Sequence, residues 1–167
     1  KSGINIHTSA TTWQVRCAGD LDGDGVPDLL WQLPAGNTTC WLMNANGTRK
    51  AATNIYNAAT AWQVRAMGDL DSDGAPDIIW QTSAGPVVCW LMNPDATVDA
   101  GIGISAVATT WIVRGMADVD GDGTPDLIWQ SPTGQVVCWL MNANGTRKAT
   151  VVISSVATAW MIRGGCN

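Results

Sequence analysis

The 167-residue chain is 46% hydrophobic and carries a formal net charge of −5, which excludes intrinsic disorder and suits a protein able to bury one good core. No run of eighteen apolar residues offers a membrane-spanning helix, and nine Lys and Arg residues are too sparse to argue nucleic-acid binding. The aromatic choice is unusual, ten Trp with one Tyr and no Phe, and all fourteen acidic residues are Asp.

In chain order, Gly3-Ile-Asn-Ile-His-Thr8 predicts a short strand at residues 3–8. His7, on this strand, is the only histidine, so no Ser-His-Asp or Cys-His arrangement can be proposed. After Trp13, Arg16 and Cys17 comes Asp20-Leu-Asp-Gly-Asp-Gly-Val-Pro-Asp28. Its carboxylates stand at relative positions 1, 3, 5 and 9, with Gly25 at position 6 for a sharp bend. Alternating oxygen ligands on a tight turn are what a calcium ion with six to eight oxygen ligands requires. Asp20, Asp22, Asp24 and Asp28 are therefore the candidate ligands, with the carbonyl of Val26 as a further one.

The loop returns twice. Asp69, Asp71, Asp73 and Asp77 with the Ala75 carbonyl form the second candidate site. Asp118, Asp120, Asp122 and Asp126 with the Thr124 carbonyl form the third. Three calcium ions are expected, because four carboxylates within nine residues repel one another unless a cation compensates them. Ligated carboxylates cannot donate a proton, so a glycosidase-like acid pair is disfavoured and the chain reads as non-catalytic. An EF-hand does not fit: its position 12 needs a bidentate Glu, and here that position is Trp31, Trp80 or Trp129.

Strand signals surround each loop. Thr60-Ala-Trp-Gln-Val-Arg-Ala-Met-Gly68 alternates in polarity, which predicts a strand with Trp62, Val64 and Ala66 on one face. Asp77 to Gln81 is a short apolar strand. Val87-Val-Cys-Trp-Leu-Met92 is longer, nearly all apolar, and expected to be covered on both faces. Val98 to Ala106 is a weaker, Gly-containing strand suited to an outer edge. Four short antiparallel strands in about fifty residues describe a propeller blade; a parallel β-solenoid is the rival architecture.

The repeat has a strict period of 49: Trp13, Trp62, Trp111 and Trp160 obey it, as do Arg16, Arg65, Arg114 and Arg163, and Cys40, Cys89 and Cys138. The prediction is an all-β chain, one repeat domain over 1–167, with blades at about 10–58, 59–107 and 108–156 and terminal strands at 3–8 and 157–164. The terminal strands align with the fourth and the first strand of a unit. The second and third strands that would join them are absent from this reading, so the open edges are expected to be met by assembly with copies of the chain, by the rest of a longer propeller, or by closure as an unusual small ring. The recurrent arginines are expected to pair with loop carboxylates or carbonyls. The recurrent tryptophans are expected in the core, Trp41, Trp90 and Trp139 among them. Cys17 and Cys166 break the period and are expected to form a disulfide, within one chain or between neighbours.

Gly19-Asp-Leu-Asp-Gly-Asp-Gly-Val-Pro-Asp-Leu-Leu-Trp-Gln32, with Cys40-Trp-Leu-Met-Asn44 after it, resembles the FG-GAP or VCBS repeat of integrin-like β-propellers. The resemblance covers essentially the whole chain. It implies a calcium-bearing propeller used in adhesion, as a lectin, or as an appendage of a larger secreted protein. Two functional expectations follow. The chain is an extracellular, calcium-stabilised protein that self-associates into an oligomer or filament, or it is a lectin-like module that binds glycans. Asn37-Thr-Thr39, Asn46-Gly-Thr48 and Asn144-Gly-Thr146 are candidate glycosylation sequons. A start at Lys1 rather than Met suits a processed or excised chain.

Overall fold

A computed structural model describes residues 12–155 together with Ile6, Met161 and Ile162. The terminal strands expected at 3–8 and 157–164, and with them His7, Trp160, Arg163 and Cys166, lie outside the described residues. Among the described residues there are twelve strands and no helix. They form three antiparallel sheets, each a simple meander. The first comprises β1 (Gln14–Gly19), β2 (Asp28–Gln32), β3 (Thr38–Met43) and β4 (Arg49–Tyr56). The second comprises β5 (Gln63–Gly68), β6 (Asp77–Gln81), β7 (Val87–Met92) and β8 (Val98–Ser105). The third comprises β9 (Ile112–Ala117), β10 (Asp126–Gln130), β11 (Val136–Met141) and β12 (Arg147–Ser154).

Neighbouring sheets meet along their first strands, β1 beside β5 and β5 beside β9. The fourth strands are largely exposed. This is the arrangement of propeller blades, and the antiparallel pairing within each sheet excludes the parallel solenoid. One core lies between the first and second sheets, built from Leu21, Leu30 and Cys40 against Val64, Met67, Ile78 and Trp80. The other lies between the second and third, with Ala66, Leu70, Ile79 and Cys89 against Val113, Met116, Leu127 and Trp129. The middle sheet is thus covered on both faces, and β7 alternates its side chains between the two cores.

The expected face for Val64 and Ala66 needs correction. Val64 packs toward the first sheet and Ala66 toward the third, because the ladder between β5 and β6 skips Arg65. One extra residue shifts the alternation by one. Arg16 and Arg114 sit at the same bulge in β1 and β9. Strand β5 also starts later than the polarity suggests, at Gln63. Before it, Thr60 donates its N–H to Ala35 O (2.7 Å) and accepts the Trp62 N–H at its hydroxyl (3.2 Å).

Adjacent sheets are latched by a buried glutamine. Gln32 Nε2 donates to Gly36 O (3.2 Å) and Trp62 O (3.1 Å), while its Oε1 accepts Val64 N–H (3.1 Å). Gln81 repeats this with Gly85 O, Trp111 O and Val113 N–H. Gly85, at φ +115°, presses against the next sheet so closely that a Cβ there would strike the Thr109 backbone.

Candidate metal centres

Each Asp loop joins the first and second strand of a sheet, and its hydrogen bonds show why it holds its shape. Asp20 accepts the N–H groups of Asp24 (3.0 Å) and Gly25 (2.7 Å). Asp69 accepts those of Asp73 and Gly74, and Asp118 those of Gly121, Asp122 and Gly123. The position 5 carboxylate turns back on the residue two further on, Asp24 to Val26 N–H at 2.9 Å. Left-handed backbone at position 4 falls on Gly23 and Gly121, but on Ser72 (φ 64°) in the second loop.

The last Asp of each loop has a double role. Asp28, Asp77 and Asp126 are fully buried. Asp77 Oδ2 accepts Leu70 N–H (2.8 Å) and Oδ1 accepts Met92 N–H (2.9 Å), tying the loop to β7. Asp28 and Asp126 do the same with Leu21 and Met43, and with Val119 and Met141. Burial pushes the Asp77 carboxyl up to about 6, with Asp71 and Asp69 adding to it, against the pull of the two amides. Asp28 is raised by burial in the same way.

The structure gathers carboxylate oxygens of Asp20, Asp22 and Asp28, of Asp69, Asp71 and Asp77, and of Asp118, Asp120 and Asp122, each trio within 4.8 Å of one another. Asp24, Asp73 and Asp126 complete the loops but fall outside these trios. Asp22 Oδ1 is buried with no hydrogen-bond partner. An all-oxygen donor set with a buried, unsatisfied carboxylate oxygen fits a hard cation such as calcium.

The sequence reading missed two lysines. Lys50 Nζ lies 2.7 Å from both Asp22 Oδ2 and Asp24 Oδ2. Lys148 Nζ lies 2.9 Å from Asp120 Oδ2 and Asp122 Oδ2. Hydrogen bonds from these ammonium groups hold the carboxyls of Asp24 and Asp122 below the usual carboxylate range. The equivalent residue of the middle sheet is Asp99, and Asp71 there is raised by burial and then by Asp73. The signal was available in the period: Arg49-Lys50 and Arg147-Lys148 flank a Val98-Asp99.

Arg65 does not play the expected part of pairing with a loop carboxylate or carbonyl. Arg16 Nη2 donates to the Gln63 side chain at 2.8 Å, and Lys50 and Lys148 form ion pairs with the outer loops. Among the described residues Arg65 has no hydrogen bond or ion pair. Its pKa is lowered by burial and then by the nearby Arg16 and Arg114 charges.

Trp31, Trp80 and Trp129 are buried as expected. Trp13, Trp62 and Trp111, and Trp41, Trp90 and Trp139, are only half-buried. They line clefts, and the guanidiniums of Arg49 and Arg147 stack 4.6 Å above Trp41 and Trp139. Cys40, Cys89 and Cys138 are free and buried; burial pushes Cys40 up to about 12 and Cys138 to about 11. Cys17, also buried, does not belong with these free thiols.

Four-stranded antiparallel blades, each with an Asp-rich loop between its first two strands, define a β-propeller repeat protein. The FG-GAP-like repeat model matches residues 20–80 and 69–129, and the chain belongs to that family. No curated protein matches it. Among solved structures it is similar to a chain of the Photorhabdus luminescens Tc holotoxin pore, at 19% identity and TM-score 0.54, over 77% of this chain and 6% of that one. It is also similar to a protein of unknown function from Bacteroides caccae, at 12% identity and TM-score 0.51, over 89% of this chain and 49% of that one. The chain thus spans half or less of the length of each, and the likeness concerns the fold.

Proposed function

We propose that the chain is a calcium-stabilised, extracellular, non-catalytic repeat module that associates with copies of itself through its outer blade faces in a structural or adhesive assembly. The observation that carries this reading is a contrast between equivalent residues. Val15 is 50% exposed, whereas Val64 and Val113, one and two periods on, are 3% and 1% exposed. At the other end Val151 and Ile153 are 43% and 53% exposed, whereas their equivalents Ile102 and Ile104 pack into the second core. The two outer faces are the two halves of a joint that the chain makes twice internally.

A second copy placed head to tail would bury both halves. Ile162 N–H donates to Gln130 Oε1 at 3.0 Å, as Val64 does to Gln32 and Val113 to Gln81. The backbone at Ile162 therefore stands where the first strand of a following unit would begin. Bound calcium would supply positive charge that offsets the clustered carboxylates, Asp22, Asp71 and Asp120 among them. At a hundred times its dissociation constant, each ion would contribute about 2.7 kcal/mol of folding stability. With Cys40, Cys89 and Cys138 free, Cys166 is the thiol left to pair with Cys17, within the chain or across copies.

Light scattering and electron microscopy of the native particle in millimolar calcium, repeated after chelation, test the reading. A species well above 17.6 kDa that dissociates on chelation is expected. A 17.6 kDa monomer under both conditions would overturn self-association.

A second reading, a lectin-like module, is favoured by three equivalent clefts. Trp111, Trp129 and Trp139 line a cavity of about 560 Å³. Trp62, Trp80 and Trp90 line one of about 270 Å³, and Trp13, Trp31 and Trp41 one of about 170 Å³. Aromatic faces in a cleft can stack on sugar rings, and binding on a glycan array lost in Trp139→Ala would select this reading.

A further inference from the structure

Away from the Asp loops, charge is concentrated where the sheets meet. Strands β1, β5 and β9 run side by side, and each carries its arginine at the residue that the ladder skips. A bulge frees one side chain from the pleat and re-aims it. Three equivalent bulges on three adjacent strands set Arg65 between Arg16 and Arg114, whose charges both reach it, along one rim, all three half-buried.

Like charges gathered in partly dehydrated surroundings are costly unless an opposite charge joins them. The first step along the rim is relieved: Arg16 donates to Gln63. At the next step the residue equivalent to Gln63 is Ile112, which offers no acceptor. Arg65 consequently has no hydrogen-bond or ion-pair partner among the described residues, and its Nε, like those of Arg16 and Arg114, is buried and unsatisfied. The middle arginine feels the like charge of both its neighbours.

We propose that the inner rim formed by Arg16, Arg65 and Arg114 binds a small tetrahedral oxyanion, of the charge and shape of sulfate or phosphate, with Arg65 as its central ligand. The guanidinium fork is matched to such an anion: its parallel N–H groups donate to two oxygens at once, and its charge is permanent. The anion would sit between sheets, so binding it would also strengthen their joint.

The test uses the whole chain in calcium, with sodium sulfate titrated against sodium chloride at constant ionic strength. The arginine Nε–H resonances and the thermal midpoint are followed together. In the wild type one Nε–H resonance, assigned to Arg65 by its loss in Arg65→Gln, is expected to shift saturably with sulfate while the midpoint rises. In Arg65→Gln the sulfate response of the midpoint is expected to vanish. In chloride alone that variant should be at least as stable as the wild type, because the rim has lost a like charge. A merely structural arginine would give the opposite sign. Arg65→Lys should keep the charge and lose most of the sulfate response. Equal sulfate responses in wild type and Arg65→Gln, or no Nε–H resonance that moves with sulfate, would overturn the proposal. If Arg65→Gln does not fold, assignment through Arg65→Lys leaves the wild-type resonance to decide.

Discussion

A carboxylate with no exposed surface is the costliest side chain in each blade, and Asp77 shows how the cost is met. Two backbone amides, one from the loop and one from β7, hold its oxygens. Its place beside the carboxylates of Asp69 and Asp71 was legible in the sequence, because positions 1 to 9 of a loop are close in the chain. Its tie to Met92, fifteen residues on, was not, because only strand pairing brings β7 beside the loop. The carboxyl, raised to about 6 from an ordinary value near 4, binds its proton more tightly folded than unfolded. In chelator this group's contribution should therefore favour the fold below its ordinary range and be lost as pH rises through about 6. The thermal midpoint in chelator is expected to be higher at pH 5 than at pH 7, with a smaller difference in Asp77→Asn. In excess calcium the trend should reverse, because protons then compete with the ion for the same oxygens.

At the scale of elements, three loops of nearly one sequence are made unequal by a residue on the fourth strand. Lys50 and Lys148 bridge the carboxylates at positions 3 and 5 of the outer loops. Asp99 stands at the same register on β8, skipped by the ladder as they are. Ligand charge sets calcium affinity, so the middle loop should bind most tightly, with two weaker and similar sites beside it. Calorimetric titration is expected to resolve one tight class and one weaker class. Asp99→Lys should merge them by weakening the first, and Lys50→Met with Lys148→Met should merge them by strengthening the second. Three equal sites in the wild type would contradict this account. The strands themselves were readable from alternation, turns and the 49-residue period. The bulges were not, since an added residue at Arg65 leaves no mark in composition and shows only when partners across the ladder are paired.

At the scale of the whole molecule, stability rests on joints between sheets as much as on the sheets. Gln81, 1% exposed, bonds to both its own turn and the following sheet. Gln81→Leu would strand the Val113 N–H and the Trp111 carbonyl, at about 1–3 kcal/mol for each group left without a partner. Denaturant unfolding should show this loss, whereas Gln135→Leu, on the half-exposed side of a turn, should change stability by about 0.5 kcal/mol or less. The repeat and its three four-stranded blades were visible in the sequence. The latch was hidden because its glutamine looks like the last polar residue of a strand, and its partners lie some thirty residues away.

That latch has a consequence for how such a chain can change over generations. Gln32 and Gln81 make the same bonds to residues at the same offsets, so neither joint depends on which neighbour supplies its other half. An in-frame recombination between equivalent codons of two repeats would add or remove one whole unit and regenerate every joint. The number of blades is then a quantity that inheritance can adjust in single steps, without inventing a new contact.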